Sequence, residues 1–211
     1  MGQAVTTRRA LGNEPASEHI VQLFDDAASA ADALASFVMD GLEGQETVLV
    51  VADPAKWRLA TQRSVRGPIY FSKAIVSGQL IVLDSLGILD RLQKLGGPDP
   101  LVFDQVVGTL VHRLGLQERR LRVYGDMVDR LAMEAEFKAA HELEELWNAL
   151  MERQPFTLLC GYSAVHFGDP ASGRSLRELC HSHSQVRTKS DDLLATFLLH
   201  SAVPGAAITI S

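Results

Sequence analysis

Thr47-Val48-Leu49-Val50-Val51-Ala52 is the stretch that decides the fold. Its run of apolar and β-branched residues has no polar alternation, which suits a strand buried on both faces of a parallel sheet. Gly41 and Gly44 punctuate the chain before it, and Asp53-Pro54 follows as a cap with a first-turn proline. Upstream, Asp25 or Asp26 can cap a helix whose apolar positions Ala27, Ala30, Ala31, Leu34, Phe37 and Val38 keep helical spacing. Downstream, a helix passes through Trp57 and Thr61, and Leu80-Ile81-Val82-Leu83 is a second buried strand ending in Asp84.

The alternation continues. Ser85 opens a short helix with Leu86, Leu89 and Leu92, and a loop with Gly96, Gly97, Pro98 and Pro100 leads to a helix carrying Val102, Val106, Val107, Leu110, Val111 and Leu114. Leu121-Arg122-Val123-Tyr124 is a third strand, closing at Gly125-Asp126. An acidic helix, about Glu136 to Glu152, buries Ala140, Leu143, Leu146, Trp147, Leu150 and Met151 and turns Glu142, Glu144, Glu145 and Glu152 to solvent. Phe156 to Cys160 is a fourth strand, and Ser175 to His183 makes a helical turn or two. Strands separated by helices mean βαβ crossovers, hence an α/β fold of three layers, a mostly parallel sheet flanked by helices. The expected division is a flexible tail over 1–17, one domain over 18–200, and a C-terminal tail or edge strand over 201–211, the strand running through Ile208 and Ile210.

Composition narrows the function. The chain has 211 residues, 46% hydrophobic and 22% charged, which excludes a disordered polymer or a coiled-coil rod. Its apolar runs reach only about six residues where a membrane span needs roughly 20, and no signal-peptide core follows Arg8 and Arg9, so a cytoplasmic chain is expected. Against 26 acidic residues stand 20 basic ones. The basic cluster Arg113, Arg119, Arg120 and Arg122 is interleaved with Glu118, which argues against nucleic acid as direct ligand. Cys160 and Cys180 are too few for a disulfide scaffold.

Ligands of open parallel sheets bind at the strand carboxyl ends, which here carry Asp53, Asp84, Asp126, Cys160 and Tyr162. Asp53 and Asp84 serve equally well as helix caps. Asp126, followed by Met127-Val128-Asp129, has no evident capping duty and is open to a pocket role or a structural one. A phosphate cradle needs glycine amides and a lysine. The turn after Thr47–Ala52 offers Asp53-Pro54-Ala55-Lys56, without glycine, so nucleotide binding is disfavoured. Cys180-His181-Ser182-His183 puts Cys180 and His183 three apart, on one face of a helical turn. With Cys160, and His19 as a conceivable fourth, they form a candidate set for a thiophilic metal. The bland alternative is that these histidines face solvent or cap carbonyls.

Several segments together resemble one family. His19-Ile20-Val21-Gln22-Leu23-Phe24-Asp25-Asp26 is similar to the opening H-x-x-x-x-[YF]-x-[DE] of MEDS domains, the sensory domains of methanogens, methylotrophs and the dichloromethane-responsive repressor. Gly41-Leu42-Glu43-Gly44-Gln45-Glu46 resembles its G-L-x-x-G-E segment, and Arg122 to Met127 its R-x-x-G-E-M, with Asp126 in place of the more usual Glu. Glu145-Leu146-Trp147-Asn148 looks like its E-x-x-x-N helix, Leu159 to Tyr162 its L-C-x-Y strand, and Cys180 to His183 its closing C-x-x-H. The correspondence runs in order over residues 19–187.

The resemblance implies a RecA-like or KaiC-like core without a phosphate loop, and the sensing of small organic molecules such as hydrocarbon derivatives. Family members are often joined to DNA-binding or histidine-kinase modules. The expectation is therefore a non-enzymatic sensor, without cofactor, working through a partner such as a histidine kinase or transcription regulator, with a homodimer possible. Its ligand would sit among Asp53, Asp84, Arg122, Asp126, Cys160 and Tyr162, with the Cys180/His183 turn closing over it. The rival expectations are a metal or redox sensor built on Cys160, Cys180, His183 and His19, and an atypical nucleotide-binding protein.

Overall fold

Every residue of Thr47–Ala52 is buried, and the run forms β2 of a parallel sheet. The computed structural model describes residues 17–94, 97–167, 173–188 and, as backbone, 207–210. The sequence reading of a tail over 1–17 falls almost wholly outside them. The described residues begin with β1 (Glu18–Phe24) and α1 (Ala27–Glu43), then β2, α2 (Pro54–Arg63), α3 (Gly67–Val76), β3 (Leu80–Asp84) and α4 (Ser85–Leu92). The loop expected before Pro100 contains a small antiparallel pair, β4 (Gln93–Lys94) and β5 (Gly97–Pro98). The following helix is α5 (Pro100–Phe103), a π turn over Asp104–Gly108, and α6 (Thr109–Gly115). Next come β6 (Leu121–Gly125), α7 (Met127–Met133), α8 (Phe137–Arg153), β7 (Thr157–Ser163), a 3-10 turn over Ala164–Phe167, α9 (Gly173–His181), β8 (Gln185–Thr188) and β9 (Ala207–Ile210).

The sheet runs β3-β2-β6-β7-β1-β8-β9, and every neighbouring pair is parallel. Four of these strands follow from apolar runs in the sequence; β1 and β8 do not, because His19, Gln22, Gln185 and Arg187 interrupt them. Yet β1 is interior to the sheet, with β7 on one side and β8 on the other. One face packs on α1, α2 and α3 through Leu34, Val38, Ala60 and Phe71. The other packs on α4 to α9 through Leu92, Val111, Leu131, Trp147 and Leu179. These are the three layers, and period-two alternation sends Ile20 to the first face and Val21 and Leu23 to the second. Among the described residues, no helix is long and apolar enough to cross a membrane.

Candidate functional site

At the carboxyl rim of the sheet the acidic residues take up different duties. Asp53 caps α2 by accepting from Ala55 N, and the exposed Asp84 caps α4 by accepting from Leu86 N and Gly87 N. Asp126 is 3% exposed and makes no cap bond. Its Oδ2 instead accepts from Asp53 N at 3.0 Å and from Lys56 Nζ at 3.1 Å. Lys56 also reaches Asp129 Oδ2 at 3.1 Å, while Asp129 Oδ1 accepts from Ser163 N at 2.8 Å with His166 Nε2 at 3.3 Å. The rim is thus a closed network that ties β2, β6 and β7 together. Burial works against the Lys56 ammonium, but Tyr124, Asp126 and Asp129 more than offset it and hold its proton above the ordinary lysine range. Burial pushes the Asp126 carboxyl up despite that lysine. Lys56 is therefore occupied by carboxylates. The turn leading from β1, Phe24-Asp25-Asp26, has neither glycine nor lysine, and its Asp26 takes the α1 N-terminus for itself by accepting from Ser29 N.

Arg122 does not belong to this rim. It stands at the amino end of β6, paired with Glu46 and stacked 4.8 Å from the Phe37 ring centroid. In a parallel sheet the strand starts lie together at one end and the strand finishes at the other, which separates Arg122 from Asp126.

The chemistry expected from Cys160, Tyr162 and His183 lies on the sheet face beneath α8. Cys160 and Tyr162 project from β7, paired with Val21 and Leu23 of β1, and His19 from the start of β1 shares that face. Above them Glu144 descends from α8, fully buried. Tyr162 Oη donates to Glu144 Oε1 at 2.7 Å, and the Cys160 thiol donates to Oε2 at 3.2 Å. His19 Nε2 is 3.2 Å from Oε2 and 3.4 Å from Cys160 Sγ; His183 Nε2 is 3.4 Å from Oε1. The outer nitrogens are fixed from behind: His183 Nδ1 donates to Leu179 O at 2.6 Å and His19 Nδ1 to Asn148 Oδ1 at 2.7 Å. Burial alone would push the Glu144 carboxyl up. The imidazoles of His183 and His19 outweigh it and hold the group ionised, well below the usual carboxylate range. Burial, then the charge of Glu144, pushes the Cys160 thiol and the Tyr162 hydroxyl far up.

One carboxylate, one sulfur and two imidazole nitrogens of His19, Glu144, Cys160 and His183 lie within 4.8 Å of one another, a donor set able to hold a metal ion. The set expected from sequence named Cys180 where the structure has Glu144. Cys180 ends in the packing under α9, its thiol pushed up to about 12 by burial, and is not among the four. Glu144 was expected in solvent because of its residue type. Its spacing says otherwise, since Ala140, Glu144, Trp147 and Met151 share one helical stripe and all are buried. The E-x-x-x-N spacing is likewise met by Glu144 and Asn148, not from Glu145. Lys56 and Asp129 carried no signal beyond lying close to strand ends.

Beside the buried group opens a cleft of about 840 Å³, between the start of β1, α8 and the end of α9. His19 and Asn148 line it, with His141, Glu145, Met151, Glu152, Glu178, His181, Ser182 and Ser184. His19 belongs to both, forming part of the cleft wall and part of the buried group.

Fold and site define a three-layer α/β domain that keeps a polar, ionised centre in its core next to a surface cleft. Within that class the chain belongs to the MEDS family: the family model described as the methanogen/methylotroph, DcmR sensory domain matches residues 18–184. The family is one of sensory domains, and a sensory role is consistent with it. A search of the curated proteins gave no match.

Proposed function

We propose that this chain is a receptor domain whose signal is a small organic molecule held in the cleft between β1, α8 and α9. The observation that carries the reading is the position of that cleft, directly over His19 of a buried polar centre, in a domain of a sensory family. Its volume falls in the range of small-molecule sites. Its wall mixes hydrogen-bonding groups with apolar surface, and Glu145, Glu152 and Glu178 give it a negative potential. A neutral or cationic polar ligand suits such a wall and a carboxylate does not.

The ligand would be bound and reported, not turned over. Contacts to α8 and α9 would shift their packing against the sheet, and a separate regulator, such as a histidine kinase or transcription factor, would read that shift. A ligand moves such an equilibrium only by its differential affinity for the two states. On this reading the recognition site is away from the carboxyl rim, whose acidic residues are taken up by Lys56, backbone amides and helix caps.

A thermal-shift screen of small amines, alcohols and carboxylates tests the reading. Amines or alcohols are expected to raise the melting temperature, the gain growing with the logarithm of ligand concentration over Kd once the site is near saturation. Glu152→Gln and Glu178→Gln should weaken that response while the unliganded melt stays put. A response strongest for carboxylates, or one that both variants retain in full, would overturn the assignment.

A further inference from the structure

We infer that His19, Glu144, Cys160 and His183 form a binding site for one divalent metal ion of zinc-like character. The inference stands on the geometry of these four residues and holds whether or not the cleft takes an organic ligand.

The tautomers argue first. Both Nδ1 atoms are committed outward as donors, to Leu179 O and to Asn148 Oδ1. A neutral ring fixed in this way presents its Nε2 as a lone pair, and both Nε2 atoms face the Glu144 carboxylate. With both rings neutral and the Cys160 thiol deprotonated, four lone-pair atoms would converge on one small volume, an arrangement that needs positive charge at its centre. Either protons or a cation supply it. An outer bond that orients a histidine toward its ion is the usual support of a metal ligand.

His183 Nε2 argues second. It is buried and, among the described residues, has no hydrogen-bond partner; the Glu144 oxygen 3.4 Å away is not aligned for one. Buried polar atoms are nearly always paired, so an orphan aimed into a group of three other potential ligands points to a missing occupant.

Distances argue third. Zinc bonds of about 2.0–2.3 Å at tetrahedral angles put neighbouring donors roughly 3.3–3.7 Å apart. The contacts among His19, Glu144 and Cys160 are 3.2 to 3.4 Å, and that between His183 and Glu144 is 3.4 Å. The widest pair, within 4.8 Å, closes by a small inward movement of side chains. Two imidazoles, a thiolate and a carboxylate suit zinc or cobalt(II), and the sulfur disfavours magnesium or calcium. On binding, the Cys160 thiol proton leaves to solvent and a metal–sulfur bond replaces the bond to Glu144, with no redox step.

The four donors come from β1, α8, β7 and the turn after α9, so the ion would clamp the helical layer to the middle of the sheet. His19, shared with the cleft wall, would be the point of entry.

The test uses the full chain without a polyhistidine tag, stripped with chelator and titrated with cobalt(II), then zinc. The expected result is about one equivalent bound, a thiolate-to-cobalt charge-transfer band, intense tetrahedral visible bands, and a melting temperature raised by several degrees. Zinc should displace the cobalt. The chain has two cysteines, so a band that persists in Cys180→Ser must come from Cys160. His183→Gln should lose the tetrahedral spectrum, and Cys160→Ser, if it folds, the charge-transfer band. Uptake below about a tenth of an equivalent by a cooperatively melting chain would overturn the inference and leave protons as the central charge. So would a band that disappears only with Cys180→Ser. Neither outcome bears on the ligand screen, which is read without added metal.

Discussion

Among single residues, Asp126 changes its meaning most between sequence and structure. Its place after a strand makes it a candidate for ligand contact, and on that reading Asp126→Ala would weaken a ligand response and leave stability intact. Its bonds point the other way. The carboxylate accepts from Asp53 N and pairs with Lys56, which also serves Asp129, so one side chain joins the ends of β2 and β6. Removing a buried acceptor for charged and backbone donors costs about 2–3 kcal/mol. Asp126→Ala should therefore lower the unfolding free energy by that amount, seen as a lower urea midpoint at unchanged m-value, and Lys56→Met should cost a similar amount by leaving Asp126 buried without its cation. Their double variant should cost less than the sum, the signature of a shared contact. Ligand response in the cleft should be unchanged in all three. Additive losses in the double variant would show that the two residues act independently.

At the scale of elements, α1 and α8 show what the sequence makes legible. Asp26 is a readable cap, and the structure completes it as a capping box: its carboxylate accepts from Ser29 N at 2.6 Å, and Ser29 Oγ accepts from Asp26 N. Asp26→Ala should lower stability by about 1 kcal/mol, and Asp26→Ser should restore most of it, both read from the urea midpoint. An unchanged midpoint in the alanine variant would mean that tertiary packing alone sets the start of α1. The interior strands β2, β6 and β7 were equally legible from their apolar runs; β3 was legible too, but it is the edge strand, with only Leu80 buried rather than both faces covered as its run suggested. Legibility ended where a polar residue takes a buried position. His19 and Gln22 hid β1, and Glu144 hid its own stripe on α8, since polarity is ordinarily read as exposure. Burial of a charged group is tolerated only when it is paired, and the partners of Glu144 come from three other elements that no local window contains. For the same reason the order of the strands could be placed only in class.

At the scale of the whole molecule, the strand at the start of the described chain belongs to the interior of the sheet. Its partners β7 and β8 lie well over a hundred residues later, whereas β9 sits at the outer edge with β8 as its only neighbour among the described residues. Sequence position and structural position are thus inverted: the two termini look equally dispensable as sequence but differ greatly as structure. Loss of β1 would strip β7 and β8 of a neighbour each, expose Ile20, Val21 and Leu23 partners on both faces, and remove His19 from the buried group. Unpaired parallel edges and uncovered apolar faces leave no cooperative unit. A chain beginning at Asp25 should therefore give no cooperative thermal transition and should aggregate. A chain ending at Thr188 forgoes, among the described residues, the outer β8–β9 pairing, and should melt cooperatively with a modest loss of stability. The same inversion sets the kinetics. Contacts of such long sequence separation close late, so refolding should fall in the slow range of roughly milliseconds to seconds, and destabilising substitutions in β1 should chiefly speed unfolding. A chevron in which Val21→Ala slows folding as much as it destabilises the chain would instead place β1 in the folding nucleus, and with it the joining of the two ends of the domain.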